Sequence, residues 1–233
     1  MTGQSNNDRI RGKHPSEDLI YNHLINAIID KKLRPGHHLN EVKLAESYNI
    51  PRSRVRRVLE RLREEDIVEF KLHQGVFIAR PTVADAKHVF EARRKLEYIM
   101  IQLVCERVQP ADIVELRALL EREKTAFDAR RNDVNRITAE FHFTLARIVG
   151  NPVIERMVYL IIQRCILVQS MYEPKTDILC MTDEHAGLVD SIANKDVTGA
   201  IRKMEHHIEH IISNLDLSET RHAEADIYDL FLP

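Results

Sequence analysis

Residues 33–62 read LRPGHHLNEVKLAESYNIPRSRVRRVLERL, and this stretch decides the fold of the N-terminal part of the chain. The Pro-Gly pair at 35–36 ends the helix that precedes it, since both residues interrupt helical periodicity. Asn40 is a typical N-cap for a short second helix, and residues 49–51 form a turn. A third helix is predicted from about Arg52 to Glu65, because its apolar residues recur with helical spacing. They are Val55, Val58, Leu59 and Leu62.

The segments on either side complete a small domain. An apolar stripe over residues 19–28 predicts a first helix, and after the third helix the period changes from helical to two. Residues 68–72 predict one strand, residues 73–75 a turn and residues 76–78 the returning strand. Three helices followed by a two-stranded hairpin are typical of a winged helix-turn-helix, whose second and third helices form the DNA-reading unit. We therefore predict such a domain over residues 16–81.

The third helix is rich in arginine on its polar face. Arg52 and Arg56 lie in its N-terminal half, the part of a recognition helix that enters the major groove, where a guanidinium can bind guanine O6 and N7. Arg54 and Arg57 point elsewhere and suit phosphate, which positions a protein without reading sequence. The acids lie only at the far end of the helix, which argues against the alternative of a solvated, salt-bridged face. The predicted DNA-binding residues are Lys43, Arg52, Ser53, Arg54, Arg56, Arg57, Gln74 and Gly75.

Composition and charge divide the 233 residues into two modules. Residues 1–80 carry 15 Lys and Arg against 11 Asp and Glu, whereas the rest carries 19 against 25, so a polyanionic partner belongs to the first module. No apolar run approaches the roughly 20 residues of a membrane helix, and the N-terminus lacks the apolar segment of a secretory signal. Three widely spaced cysteines argue against a disulfide framework. A soluble, cytoplasmic protein without a membrane partner is therefore expected.

Residues 82–216 predict a second domain that is entirely helical. Apolar residues recur with helical period throughout, helix-ending residues divide the stretch, and no alternating strand pattern is found. We predict an antiparallel bundle of roughly six helices, which makes the chain mainly α. Residues 1–15 are expected to form a flexible arm, and residues 217–233 a tail that is either disordered or docked on a partner subunit.

Three of the 12 histidines fall on different predicted helices of this bundle. His142, His185 and His207 would form a metal site if they converge in the interior, because neutral imidazoles suit Zn²⁺, Ni²⁺ and similar ions. His206 and His210 are predicted to face outward. The alternative, ordinary core or surface histidines that never meet, stays open because spacing along the chain cannot establish convergence.

The first domain resembles the DNA-binding domain of the GntR family. The resemblance rests on the Pro-Gly pair at 35–36, on the pattern Arg-x-x-Val-Arg-x-x-Leu at residues 52–59 and on Gly75 in the wing. It implies that Arg52 and Arg56 make the contacts with bases that are known in the family. Two positions depart from the family pattern, since Pro51 stands where serine or threonine is usual and Asp66 where glycine is common.

The second domain is similar to the FCD effector domain of the FadR subfamily within GntR. The similarity implies that the same three histidines bind a divalent metal, of Zn or Ni type, where the family usually adds an aspartate. Thr138 occupies that position here, so weaker metal affinity and a place in the effector pocket are expected. Arg93 is implied to clamp an effector carboxylate, the alternative being an exposed arginine in a surface ion pair. The matching segments are Phe141-His142-x-x-Leu145, Gly150-Asn151-Pro152, Glu184-His185 and Ala200-x-x-x-Met204-x-x-His207-Ile208.

These features together predict a ligand-responsive transcription regulator. A homodimer would place two recognition helices on a palindromic double-stranded operator, and a small metabolite, a carboxylate, would favour one arrangement of the DNA-binding domains. The resemblance implies repression that the effector releases. The alternatives are a metal-dependent hydrolase that uses the three histidines and an architectural DNA binder without an effector. Against the hydrolase, Glu140 and Glu184 flank the histidines but are predicted to point away from them.

Overall fold

A computed structural model describes residues 15–173 and 181–218 of the chain. The predicted arm and tail lie almost entirely outside these residues. The helices are α1 Pro15–Ile29, α2 Glu41–Tyr48, α3 Arg52–Glu64, α4 Val83–Arg107, α5 Pro110–Asp128, α6 Val134–Ile148, α7 Pro152–Tyr172, α8 Met181–Ala193 and α9 Val197–Ser213. The strands are β1 His38–Leu39, β2 Val68–Lys71 and β3 Gly75–Ile78.

The N-terminal domain is the predicted winged helix-turn-helix with one more strand than expected. β3 lies between β1 and β2 and is antiparallel to both. The sequence does not reveal β1, because His38 and Leu39 are too few to show an alternating pattern. Their pairing with Phe77 and Val76 turns the predicted two-stranded hairpin into a three-stranded sheet.

Local sequence sets the ends of α2 and the end of α3. The Asn40 side chain accepts hydrogen bonds from the backbone N–H groups of Val42 and Lys43, as an N-cap does. Asn49 ends α2 in the left-handed conformation with a φ of 49°, and Asp66 follows α3 with a φ of 57°. Asparagine and aspartate tolerate this conformation better than most residues, so Asp66 can stand where the family commonly has glycine.

The second domain, in the described residues, is the predicted bundle of helices, α4 to α9. α4, with 25 residues, packs against α6, α7 and α9 and therefore runs through the middle of the bundle. Thr82 and Asp85 form a capping box at its start. Met100, Phe141 and Leu167 are among the large side chains that fill the interior. None of the helices in the described ranges combines the length and the hydropathy that crossing a membrane requires.

α7 connects the bundle to the N-terminal domain. Its Arg164 lies 3.1 Å from the carboxylate of Asp66, directly after α3, and the Tyr172 hydroxyl donates to the carbonyl of Pro81 at 2.8 Å. α1 also packs against α6 and α7. A cavity of about 350 Å³ lies at this junction, between Asp66 and β2, the linker at residues 79–81, α4 and α7. The segment that follows α3 and the bundle are therefore in direct contact.

A buried hydrogen bond beneath the end of α3 gives a test of the fold. The hydroxyl of Tyr21 donates to Glu65 Oε2 at 2.5 Å, and both side chains are buried. Tyr21→Phe removes this partner of the buried oxygen, so the free energy of unfolding should fall by about 1–3 kcal/mol. Urea unfolding followed by circular dichroism measures the change, with Tyr98→Phe as the control because Tyr98 is 40% exposed. Equal midpoints for Tyr21→Phe and the unaltered chain would contradict this role.

Candidate functional sites

α3 buries its apolar face and exposes its arginine face. The side chains of Arg52 and Arg56 are 64% and 59% exposed. Arg52 Nη2 lies 3.5 Å from Glu41 Oε2, and Arg56 Nε lies 3.4 Å from Glu60 Oε1. Such long ion pairs in solvent contribute little free energy. Both guanidinium groups are therefore accessible to a partner at small cost.

Arg57 is held by the protein itself. Its guanidinium donates to Glu17 of α1, whose side chain is buried, so the pair ties α3 to α1. A phosphate would have to share this guanidinium with Glu17, and the predicted phosphate contact stays a prediction. The other predicted residues lie at the surface, with Lys43, Ser53, Gln74 and Gly75 exposed and Arg54 half-buried.

The wing turn requires glycine at position 75. Gly75 has a φ of +103°, and a Cβ at this position would lie 2.7 Å from His38 Nε2. His38 in turn packs on Phe77, with ring centroids 5.0 Å apart. β1, the strand that the sequence does not reveal, therefore supports the wing.

The bundle brings the three predicted histidines together. His142 on α6, His185 on α8 and His207 on α9 are at most 2% exposed, and ring nitrogens from all three lie within 4.8 Å of one another. His185 Nε2 and His207 Nε2 are 3.4 Å apart. The side chain of His206 is 74% exposed, as predicted, whereas that of His210 is only 28% exposed. The three histidines thus converge in the interior instead of being unrelated core or surface residues.

A different glutamate lies against Nδ1 of each of these histidines. The three carboxylates come from α4, α5 and α8. At His185 and His207 the carboxylate can accept a hydrogen bond from Nδ1–H, which leaves the lone pair of a neutral imidazole on Nε2. At His142 the carboxylate lies at ion-pair distance, but Nδ1 has no hydrogen-bond partner among the described residues. The distances are 3.0 Å from Glu97 Oε1 to His142, 3.0 Å from Glu123 Oε2 to His185 and 2.8 Å from Glu184 Oε2 to His207.

Sequence reasoning missed two of these glutamates and misplaced the third. Glu97 and Glu123 lie among the buried residues of α4 and α5, and an acid on an apolar stripe is the signal that could have found them. The prediction that Glu184 points away is wrong, because its two oxygens contact two histidines of α9. Glu140, in contrast, lies in an exposed ion pair with Arg122.

Arg93 also faces this interior and is not a surface arginine. It is 3% exposed, its Nε donates to Glu97 Oε1 at 3.2 Å, and its Nη2 lies 3.1 Å from His142 Nε2. The Thr138 hydroxyl donates to Glu123 Oε1 at 2.7 Å. The position where the family usually has an aspartate therefore carries a hydroxyl that binds a carboxylate from α5.

Burial and charge fix the protonation of the site. Burial lowers the pKa of His142, and it lowers the pKa of His207 well below the usual value. Burial alone would raise the pKa of Glu97, but the interactions with Arg93 and His142 together outweigh it and bring this pKa to about 2. Burial also opposes ionisation of Glu123, but its interactions with His185 and Thr138 are among those that together outweigh burial and lower the pKa. Neutral nitrogen donors therefore lie among ionised carboxylates.

This donor set fits a divalent metal. Imidazole nitrogens are ligands that Zn²⁺ and Ni²⁺ prefer, and His142, His185 and His207 bring three of them together. In formal charge, the three glutamates exceed the guanidinium of Arg93 by two, which a divalent ion would balance. Arg93 Nη2 competes for the lone pair of His142 Nε2 at 3.1 Å. A metal ion could therefore bind His142 Nε2 only if the guanidinium of Arg93 moved away from it.

Because His142 and His207 have lowered pKa values, the stability of the metal-free protein depends on pH. In the unfolded chain they titrate near 6.5, whereas the folded chain resists their protonation, so the unfolded state takes up more protons as the pH falls. After chelator dialysis, the urea midpoint should fall as the pH decreases from 7.5 to 5.5, and the fall should be smaller in His207→Gln. Glu97 does not contribute in this window, because its pKa is at or below 4.5 in both states. An unchanged slope in His207→Gln would contradict the assignment.

Known families match both domains of the chain. The family described as "Bacterial regulatory proteins, gntR family" matches residues 17–78, and the family described as "FCD domain" matches residues 88–210. The Nta operon transcriptional regulator of Aminobacter aminovorans is 30% identical over 132 residues, which are 56% of this chain and 62% of that protein. The HTH-type transcriptional regulator LutR of Bacillus subtilis (strain 168) is 25% identical over 204 residues, 77% of this chain and 92% of that protein.

Solved structures share the fold. E. coli McbR/YncC has a TM-score of 0.77 at 18% identity, over 86% of this chain and 96% of that chain. A GntR transcriptional regulator from Rhodococcus sp. RHA1 has a TM-score of 0.73 at 20% identity, over 86% and 99%. At these identities the likeness shows the fold alone. The matched families and the relatives are transcription regulators, so the hydrolase alternative finds no support.

Proposed function

The chain belongs to the gntR family of bacterial regulatory proteins and is a DNA-binding transcription regulator with an FCD domain, and we propose that it represses transcription until a small carboxylate metabolite binds. In this proposal a cytoplasmic homodimer binds a palindromic operator, because two-fold protein symmetry matches two half-sites. The pairing of this DNA-binding domain with an FCD domain supports placement in the FadR subfamily. Residues 16–81 read the DNA, and residues 82–216 sense the effector and form the dimer.

The exposed arginine pair of α3 is the observation that carries the DNA-binding role. Arg52 and Arg56 are four residues apart, and each can donate two parallel hydrogen bonds to O6 and N7 of guanine in the major groove. The wing reaches the adjacent minor groove, while other basic side chains bind phosphate and set the orientation. These supporting contacts are assigned to Lys43, Ser53, Arg54, Arg57, Gln74 and Gly75.

The buried histidine site is the proposed sensor. His142, His185 and His207 would hold a metal of Zn or Ni type, which supplies positive charge and open coordination positions for carboxylate oxygens. Arg93 would clamp the effector carboxylate with two parallel hydrogen bonds once it leaves His142. Thr138 lines the same pocket through its bond to the α5 glutamate. The support for this assignment is the convergence of neutral imidazoles beside a buried guanidinium.

α7 is the proposed link between sensor and DNA-binding domain. Its buried Cys165 borders Arg93, and the preceding residue, Arg164, pairs with Asp66 after α3. An effector that draws Arg93 toward itself changes the packing of α7 and, through it, the position of α3. Such a ligand shifts the equilibrium only by its difference in affinity for the two arrangements, so the pocket must differ between them.

Substitution of the arginine pair tests the DNA-reading role. An operator is first selected by the unaltered protein from a random DNA library. Arg52→Ala and Arg56→Ala should each lower affinity for the selected operator by about 5- to 150-fold, the loss of one bidentate base contact, with a smaller effect on random DNA. Arg122→Ala, an exposed arginine of the bundle, is the control. Mobility-shift titration measures the affinities, and retained preference for the operator in both variants would contradict the assignment.

Adjacent histidines on α9 give a matched test of the sensor. The purified protein should retain about one equivalent of zinc or nickel per chain, measured by elemental analysis and native mass spectrometry, and should be a dimer. His207→Ala should lose the metal, whereas His206→Ala should keep it, because only His207 faces the interior. A protein that binds neither metal nor any small molecule would overturn the sensor and leave the architectural DNA binder.

A further inference from the structure

The α5 helix supplies a buried carboxylate next to the position where the family usually places an aspartate on α6. Glu123 is 1% exposed, and both of its oxygens are engaged. Oε1 accepts from the Thr138 hydroxyl at 2.7 Å, and Oε2 lies 3.0 Å from His185 Nδ1. An acid buried this deeply requires such partners, since an unpaired carboxylate in the interior is costly. Glu123, Thr138 and His185 therefore form one hydrogen-bonded chain across three helices.

We propose that Glu123 is the positioning residue of the metal centre and that Thr138 holds it in place. The inference rests on the proposed metal-binding function. Glu123 acts through His185 and not as a ligand, because it engages Nδ1 and leaves Nε2 to face His207 Nε2 at 3.4 Å. A carboxylate at Nδ1 fixes the tautomer and raises the basicity of Nε2. Glu123 of α5 thus supplies the negative charge that an aspartate would bring at position 138.

The ring of His185 is held on two sides. It stacks on Phe141, with centroids 4.1 Å apart and planes 21° apart, while Glu123 fixes its rotation within that plane. The other two glutamates are shared, since Glu97 also accepts from Arg93 and Glu184 also contacts His210. Glu123 instead combines one histidine with one hydroxyl. Removal of its charge therefore leaves the pairs that Arg93 and His210 make intact.

The ligand set that follows has a preference among metals. Three neutral nitrogens without a carboxylate ligand suit zinc, nickel and cobalt, whereas magnesium, calcium and manganese prefer oxygen. Cobalt(II) is a suitable probe because its visible spectrum reports the ligands directly. The chelator-dialysed full-length protein is titrated with Co²⁺, and the affinity and the spectrum are compared among variants.

Glu123→Gln should lower the affinity for Co²⁺ by about 10- to 100-fold and shift its spectrum, as loss of an outer-shell carboxylate does. Thr138→Val should lower the affinity in the same direction but less, because the carboxylate remains without its hydroxyl partner, and Thr138→Ser should restore it to within about two-fold. Glu140→Gln, an exposed acid on α6, is the matched control and should bind like the unaltered chain.

A second readout is independent of metal. In ¹⁵N spectra of the metal-free protein, His185 should carry its proton on Nδ1, and Glu123→Gln should change that tautomer population, which a merely structural role would not do.

If the unaltered chain binds about one Co²⁺ and Glu123→Gln binds it equally well, the positioning role is overturned while the metal site stands. If the unaltered chain binds no Co²⁺, the positioning role and the metal site are both overturned. If Glu123→Gln does not fold, Thr138→Val decides, and unchanged affinity there overturns the inference.

Discussion

Burial of the apolar face of α3 is the constraint on which the rest of the N-terminal domain depends. Val55, Leu59 and Leu62 are completely buried, so the helix has one possible orientation against the core. Helical geometry then places Arg52 and Arg56 on the solvent side. Asp66, which follows α3, pairs with Arg164 of α7, so this segment joins the DNA-reading domain to the bundle.

Much of this architecture follows from periodicity. The apolar spacing of α3 and the helical period of residues 82–216 predict elements that the structure contains, because burial imposes these patterns on the chain. β1 escapes prediction because two residues have no period. The pair between Arg57 and Glu17 escapes because the partners are 40 residues apart and their sequence signals are those of any surface charge.

The sequence predicts the histidines of the buried site but not the glutamates that contact them. Resemblance to the FCD domain predicts the three imidazoles. Helices α4 and α5, in contrast, carry many acidic residues, and only the packing of the folded chain shows which of them are buried. Glu97 and Glu123 lie among the apolar, buried residues of their helices. Because glutamate is rarely buried, an acid at such a position is the local sequence signal for a functional carboxylate. Glu184 precedes a histidine on α8, yet it turns toward α9, because tertiary packing and not helical phase decides which neighbour it contacts.

Charged side chains hold the histidine site together. Burial keeps His142 and His207 neutral, carboxylates lie against Nδ1 of all three imidazoles, and Arg93 completes the cluster between α4 and α6. The central claim is that arginine side chains of α3 read bases. A double-mutant cycle tests it most directly, combining Arg52→Ala with replacement of operator guanines by 7-deazaguanine, which lacks the N7 acceptor. The account predicts a coupling free energy of about 1–3 kcal/mol at one guanine. Purely additive losses at every guanine would contradict it.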